Sequence, residues 1–198
     1  MRTIVSMLAV FAFVAVFIAA IAQAADVVYL SDLPFKSSGL KGNPSGGYYD
    51  GIRVNSHQTI ITNSGSQANQ WERPTQVNGQ EFDKSLLFHV VKDETVTATW
   101  SLNHKFTKLT AMIGLDDTQD IPGIYPLITV NFIGDGKPLG SASIQSVYGK
   151  PNPTPSVGID VTGVTSLTVA ITFKGTGGGT NVDIVNPELQ PVSGTSGQ

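Results

Sequence analysis

The sequence predicts an all-β protein, an antiparallel β-sandwich or jelly roll, and three observations carry that prediction. Apolar and polar residues alternate with period two through most of the chain beyond residue 26, and nothing there sustains the 3.6-residue apolar period of an amphipathic helix. The composition favours strands and turns, with 21 glycines in 198 residues, abundant Thr and Ser, and few Lys and Glu. Short turn signals such as Gly134-Asp135-Gly136 punctuate the alternating runs. About seven or more short strands joined by polar turns are the pattern of a two-sheet sandwich.

In chain order, residues 1–24 read as a signal peptide. Arg2 precedes an uncharged apolar run from Ile4 to Ile21, and Ala22-Gln23-Ala24 supplies the small-x-small cleavage pattern. A membrane anchor is the competing reading, because the run approaches the length of a span. No Lys or Arg cluster follows to stop transfer, so the expectation is cleavage, secretion to an extracellular or periplasmic location, and no stable membrane insertion afterwards. The domain is then expected over residues 25–190, followed by a disordered polar tail over 191–198, "PVSGTSGQ".

Within the domain, residues 36–80 are rich in Gly, Ser, Asn and Gln, with two strands expected at "GIRV" and "QTIIT" among long loops. "LLFHVV" (86–91) and "TVTATW" (95–100) read as strands with "KDE" turning between them, and "KLTAMIG" (108–114) as another. "LITVNFIGDGKPLGSASIQSV" reads as a hairpin whose Asp-Gly pair supplies the positive φ of a tight turn, with Ile128, Val130 and Phe132 inward. Three prolines make "YGKPNPTPS" (148–156) a loop. "VTSLTVAITF" (164–173) places Leu167, Val169, Ile171 and Phe173 on one face and Thr168, Ala170 and Thr172 on the other, a half-buried strand.

Composition also excludes. The absence of cysteine removes disulfides, thiol catalysis and thiolate metal sites. A net charge of −3 with only 14% charged residues lacks the basic stripe of a nucleic-acid binder. No G-x-S-x-G elbow and no H-E-x-x-H helix is present.

The residues that invite chemistry are few. In "LTAMIGLDDTQD" (109–120), Asp116, Asp117 and Asp120 suggest an acid–base pair, a calcium loop, or a polar strand end. If the strand continues, Asp116 and Asp117 point to opposite faces and cannot form one pair. If it breaks at Gly114, they sit in a turn where an Asp carboxylate accepts backbone amides. A glycosidase would need two carboxylates about 5–9.5 Å apart across a cleft, which neighbours in sequence rarely achieve. Sugar binding needs flat rings plus polar groups. Trp100 shares a face with Val96 and Ala98 and reads as core, whereas Trp71 ("SQANQWERP"), Tyr48 and Tyr49 ("GGYYD") and Tyr125 ("PGIYP") lie on expected loops. His89 alternates with Leu87 and Val91 and reads as a hydrogen-bonded strand residue. His57 and His104 look like ordinary loop histidines.

Five segments, "VVYLSDL", "VNGQEFDKSLLFHVV", "FTKLTAMIGLDDT", "ITVNFIGDGKPLGSAS" and "VGIDVTGVTSLTVAIT", occur in an order and spacing that resemble the NPCBM family of carbohydrate-binding domains, close to carbohydrate-binding module family 51. The likeness covers about residues 27–190. On it, Tyr29 to Leu33 match the opening strand and Lys84 and His89 the family's basic residue and histidine. Gly114, Asp116 and Asp117 match its strand-end motif, and Asp135-Gly136 its hairpin. Ser85 and Val90 depart from the pattern, and "NVDIVNPEL" keeps the acidic Asp183 of the last strand without the aromatic that commonly follows.

The resemblance implies a galactose-binding-like jelly roll that binds glycans without catalysis, and in some members a structural calcium. The reading is therefore a secreted, non-catalytic domain whose partner is a glycan or polysaccharide, with no nucleic acid involved and the oligomeric state left open. Candidate ligand contacts are the rings of Trp71, Tyr49 and Tyr125 and the polar groups of Asp116, Asp117, His89 and Asp183. Calcium is the one candidate cofactor. The alternative is a structural or protein-interaction sandwich that has lost the sugar site.

Overall fold

The computed structural model describes residues 27–38, 52–55, 59–62, 65–68, 75–117, 126–147 and 150–193. The alternating runs form strands that pair antiparallel in two sheets. In chain order they are β1 (Val28–Tyr29), β2 (Phe35–Ser38), β3 (Ile52–Val54), β4 (Thr59–Thr62), β5 (Gly65–Ala68), β6 (Thr75–Val77), β7 (Gln80–Phe82) and β8 (Ser85–Val91). They continue with β9 (Thr95–Ser101), β10 (Phe106–Leu115), β11 (Pro126–Gly134), β12 (Lys137–Gln145), β13 (Ser156–Asp160), β14 (Ser166–Gly175) and β15 (Gly179–Pro191). The larger sheet runs β13-β10-β15-β8-β3-β4-β5 with β1 added on β15, and the smaller runs β12-β11-β14-β9-β2. β6 and β7 form a separate hairpin. No helix among the described residues is long and apolar enough to cross a membrane.

The core lies where the inner faces of the two sheets meet, and period two decides who enters it. Phe88, Phe132, Phe173 and Trp100 are all fully buried there, with Ile128, Val130, Val169, Ile171, Val182 and Ile184. Trp100 is core as its face predicted, and packs on Phe35 with ring centroids 5.0 Å apart. The expected hairpin closes at Asp135 (φ 49) and Gly136 (φ 78), two positive-φ residues as a type I′ turn requires. Asp135 then does more than turn: its carboxylate accepts the amides of Thr165 (3.1 Å) and Ser166 (2.9 Å), stapling β11–β12 to the start of β14.

Three local outcomes differ from the sequence reading. The expected opening strand over Tyr29–Leu33 is strand only at Val28–Tyr29, because Leu30–Asp32 turn into one 3-10 helix that sends Leu30 fully into the core. A second type I′ turn, Asn78 (φ 51) and Gly79 (φ 75), joins β6 to β7, a hairpin that lies inside the region expected to be loop. Finally, β15 extends over 13 residues despite Pro187. Thr110 pairs with Glu188 but Met112 pairs with Val185, so β15 carries one extra residue at a bulge where Asn186 has φ 46. Proline survives there because a bulge does not need its missing N–H. β15 reaches Pro191, and the Val192 amide donates to the Lys105 carbonyl (2.9 Å), so the chain is still tied down at the start of the expected tail. Residues 194–198, like the expected signal peptide, lie outside the described residues.

The bulge has a consequence for the outer face of the larger sheet. Before it, Asn181, Asp183 and Val185 point away from the core; after it, Glu188 and Gln190 do, while Leu189 is buried. One inserted residue resets the parity so that both halves of β15 place polar groups outward.

Candidate functional site

The polar residues that the sequence singled out gather on this outer face. Ladder register sets Gly114 of β10, Asp183 of β15, Leu87 of β8 and Arg53 of β3 in one row across four strands. Asn181 faces His89 two residues along. Asp183 is placed there by parity alone, because its neighbours Val182 and Ile184 are both in the core. Asp183 and Asp116 are fully buried, and the Arg53 side chain is 11% exposed with Nη2 4.0 Å from Asp116 Oδ2. The separation is an ion pair rather than a direct hydrogen bond. His89, half-buried, has Nδ1 2.8 Å from the Asn181 amide oxygen, so Nδ1 carries the proton and donates. Its ring leans over Gly179, where a Cβ would stand 2.8 Å from Nε2, so a side chain at that position would displace the imidazole.

Asp116 and Asp117 part company at the end of β10. The strand does not break at Gly114 but runs to Leu115, and the Asp116 amide still donates to the Asn181 carbonyl (3.2 Å). Asp116 turns in toward Arg53. Asp117 turns to the β6–β7 hairpin, where Oδ1 and Oδ2 accept the amides of Asn78 (2.7 Å) and Gly79 (2.6 Å). Asn78 in turn exchanges hydrogen bonds with the backbone of Asn152, at 2.9 and 3.2 Å. The two neighbours thus turn to separate partners, Asp116 to Arg53 and Asp117 to the hairpin amides.

The hairpin forms a lid over part of this face. Val77 and Phe82 pack with Val185 and Met112 in a small apolar cluster apart from the main core, and Thr75 Oγ1 meets Ser85 Oγ at 2.8 Å beneath it. Gly114 is needed because a Cβ there would stand 2.9 Å from Val77 Cγ2, inside contact distance. The glycine of the strand-end motif is therefore the seat of the lid.

Of the expected contacts, the fold brings together Asp116, Asp183 and His89, and gives Asp117 to the lid. Trp71, Tyr49 and Tyr125, with Asp120, lie outside the described residues. Arg53 and Asn181 were missed by sequence reasoning. Their signal was present: Arg53 is the polar middle of "IRV", and Asn181 shares parity with Asp183. The carboxylates of Asp116 and Asp117 are committed to partners other than a metal ion. Both Asp117 oxygens accept N–H groups and Asp116 faces a guanidinium, and among the described residues no three His, Asp or Glu side chains converge on a cation position.

Taken together, the fold is a galactose-binding-like antiparallel sandwich of the carbohydrate-binding-module kind. The chain belongs to the NPCBM/NEW2 domain family, whose model matches residues 26–190. Among solved structures it is similar to a CBM51 from Clostridium perfringens GH95 in complex with methyl-galactose, at 16% identity and TM-score 0.53 over 83% of this chain and 99% of that one. It is similar as well to the tandem CBM51 modules of the family 98 glycoside hydrolase Sp3GH98 from Streptococcus pneumoniae SP3-BS71, at 14% identity and TM-score 0.59, covering 84% of this chain and 47% of that one. A third, the M60 catalytic domain with CBM51-1 and CBM51-2 domains from Clostridium perfringens ZmpB, matches at 17% identity and TM-score 0.57 over 84% of this chain. Of that larger chain the present one spans 15%. No curated protein matches by sequence.

Proposed function

We propose that this chain is a secreted, non-catalytic carbohydrate-binding domain whose sugar contacts come from the polar cluster on the outer face of the larger sheet. The observation that supports this is the register that sets Asp183, Asn181 and His89 beside Arg53 and Asp116. Arg53 and His89 are the partly exposed members: Arg53 offers N–H donors to sugar hydroxyls, and His89, whose proton is on Nδ1, offers Nε2 as an acceptor; Asn181 orients the imidazole and Asp116 the guanidinium. Trp71, Tyr49 and Tyr125 are the rings proposed to stack on the sugar's apolar face, each worth about 0.5–1.5 kcal/mol beyond area burial. Solved relatives of this fold were crystallised with methyl-galactose and with GlcNAc, which makes those two sugars the first probes.

The test is a glycan array followed by calorimetric titration of any hit against His89→Ala, Arg53→Met and Trp71→Ala variants. Each is expected to weaken binding by roughly tenfold or more, the equivalent of one lost polar or stacking contact. Absence of binding across plant, mucin and bacterial glycans would overturn the reading and leave a structural or protein-interaction sandwich. Release of reducing sugar would make it an enzyme instead. Secretion is tested separately, by sequencing the N-terminus of exported protein, which is expected to begin at Ala25.

A further inference from the structure

Beyond the lid, the outer face of the larger sheet continues as a second surface. A groove of about 520 Å³ lies there, lined by Lys108 and Thr110 of β10, Glu188 and Gln190 of β15, and Val27 and Pro191 at its margin. The groove sits on β10 and β15, and the register continues its floor as a platform four strands wide. Tyr29, Glu188, Thr110 and Gly158 form one row, and Gln190, Lys108 and Asp160 the next. Three inter-strand gaps give it a length of about 14 Å. Gly158 keeps the floor low at the β13 side, where the nearest atom to a Cβ would be the flexible Lys108 Cε at 3.4 Å. The β15 bulge is what turns Glu188 and Gln190 outward to line it.

The lining decides what can lie there. Within the groove Lys108 and Glu188 cancel, and Asp160, a charged carboxylate on the platform's β13 edge outside the groove, has Oδ1 turned back to the Thr162 amide at 2.9 Å. A strongly anionic ligand would meet the Glu188 carboxylate, and a strongly cationic one the Lys108 ammonium. A peptide cannot add as a strand onto the platform's interior, because β15 and β10 are laddered on both sides. The lining suits a ligand that donates and accepts along its whole length without net charge. An ammonium, a hydroxyl, a carboxamide and a carboxylate in two rows, edged by Val27 and the Pro191 ring, offer both kinds of polar partner and an apolar margin.

We infer that this groove is a second carbohydrate-binding site, which takes a neutral unbranched oligosaccharide seated on β15 and β10 and running out over the platform toward β1 and β13. It shares no residue with the Arg53–His89 cluster, so either site can exist without the other.

The test is a titration of the purified protein, followed by ¹H–¹⁵N correlation spectra, with galactotetraose, cellotetraose and chitotetraose in separate experiments. At least one is expected to give saturable shifts at the amides of Lys108, Thr110, Gly158, Glu188 and Gln190. Gly158→Trp, whose indole would stand against Lys108 at the groove's β13 edge at a position of ordinary φ, is expected to weaken that response at least tenfold. Lys108→Ala, which truncates an exposed side chain, is expected to weaken it as well, and His89→Ala to leave it unchanged. The inference is overturned if none of the three sugars moves these amides, or if the shifts persist at full affinity in both folded groove variants. It is equally overturned if an octapeptide or inorganic phosphate produces the shifts and the sugars do not. Loss of response at His89 and Asp183 with the groove response intact would count against the proposed first site alone.

Discussion

Replacing Gly114 by Ala tests the packing that holds the lid over the outer face. The added methyl would stand 2.9 Å from Val77 Cγ2, so either Val77 moves or the hairpin lifts. Overpacking of this kind costs about 1–3 kcal/mol. Loss of glycine's freedom in the unfolded chain returns about 0.4–1 kcal/mol. The net expectation is a destabilisation of about 1–2 kcal/mol. Val77→Ala alone removes two buried methyl groups from the cluster with Phe82, Val185 and Met112, about 1.6 kcal/mol at 0.8 per group. In the double variant the missing methyls of Val77 vacate the space the new Cβ needs. Its cost should fall close to that of Val77→Ala by itself, a coupling of about 1 kcal/mol or more. Urea unfolding of the four proteins measures this, read from midpoints at unchanged slope. If Gly114→Ala costs under about 0.5 kcal/mol, or if the two changes simply add, the close approach does not hold the lid and the reasoning fails.

Asp117→Ala removes the acceptor of two amide hydrogen bonds and should cost about 1–3 kcal/mol, with hydrogen exchange quickened at Asn78 and Gly79 before the rest of the hairpin. The amides of Thr165 and then Ser166 hold the Asp135 carboxyl below the usual aspartate range, against a smaller opposing effect of desolvation, with His104 and Lys137 nearby assisting. A depressed folded-state pKa means its stabilisation is complete above the unfolded value of about 3.9 and is lost as pH falls through the lower folded value. Asp135→Asn should therefore flatten the acid limb of the stability–pH curve, and an unchanged limb would count against the staple. EDTA is expected to leave the melting temperature unmoved, given that Asp116 and Asp117 face a guanidinium and two amides; a fall would reveal a calcium site built with residues outside the described set.

Much of the fold was legible because period-two alternation is a local property. "TVTATWS" already separates Val96, Ala98 and Trp100 from Thr95, Thr97 and Thr99, and the structure buries the first set in the core. The Asp135-Gly136 hairpin was equally plain, since positive φ is a cost that few residues tolerate. The Asn78-Gly79 hairpin carried the same signal, but its strands are only three residues long and sit in a polar stretch that masks alternation. Pro187 hid the middle of β15, because a proline in a central strand argues against one unless a bulge absorbs it.

The candidate site was legible as a set of residue types and not as a place. Sequence by itself determined the two-sheet sandwich, the inward and outward faces of most strands, and the carboxylates and histidine that no core position would choose. It could not tell whether Asp116 and Asp117 act together, since that depends on what stands opposite the end of β10. Only the tertiary structure decided that Asp116 meets Arg53, from a strand three places away in the sheet, while Asp117 meets a hairpin turn 38 and 39 residues earlier. Register decided the rest. A single bulge in β15 fixes which residues stand beside Gly114 and which line the groove at Thr110, and pairing across strands is not written in either strand alone.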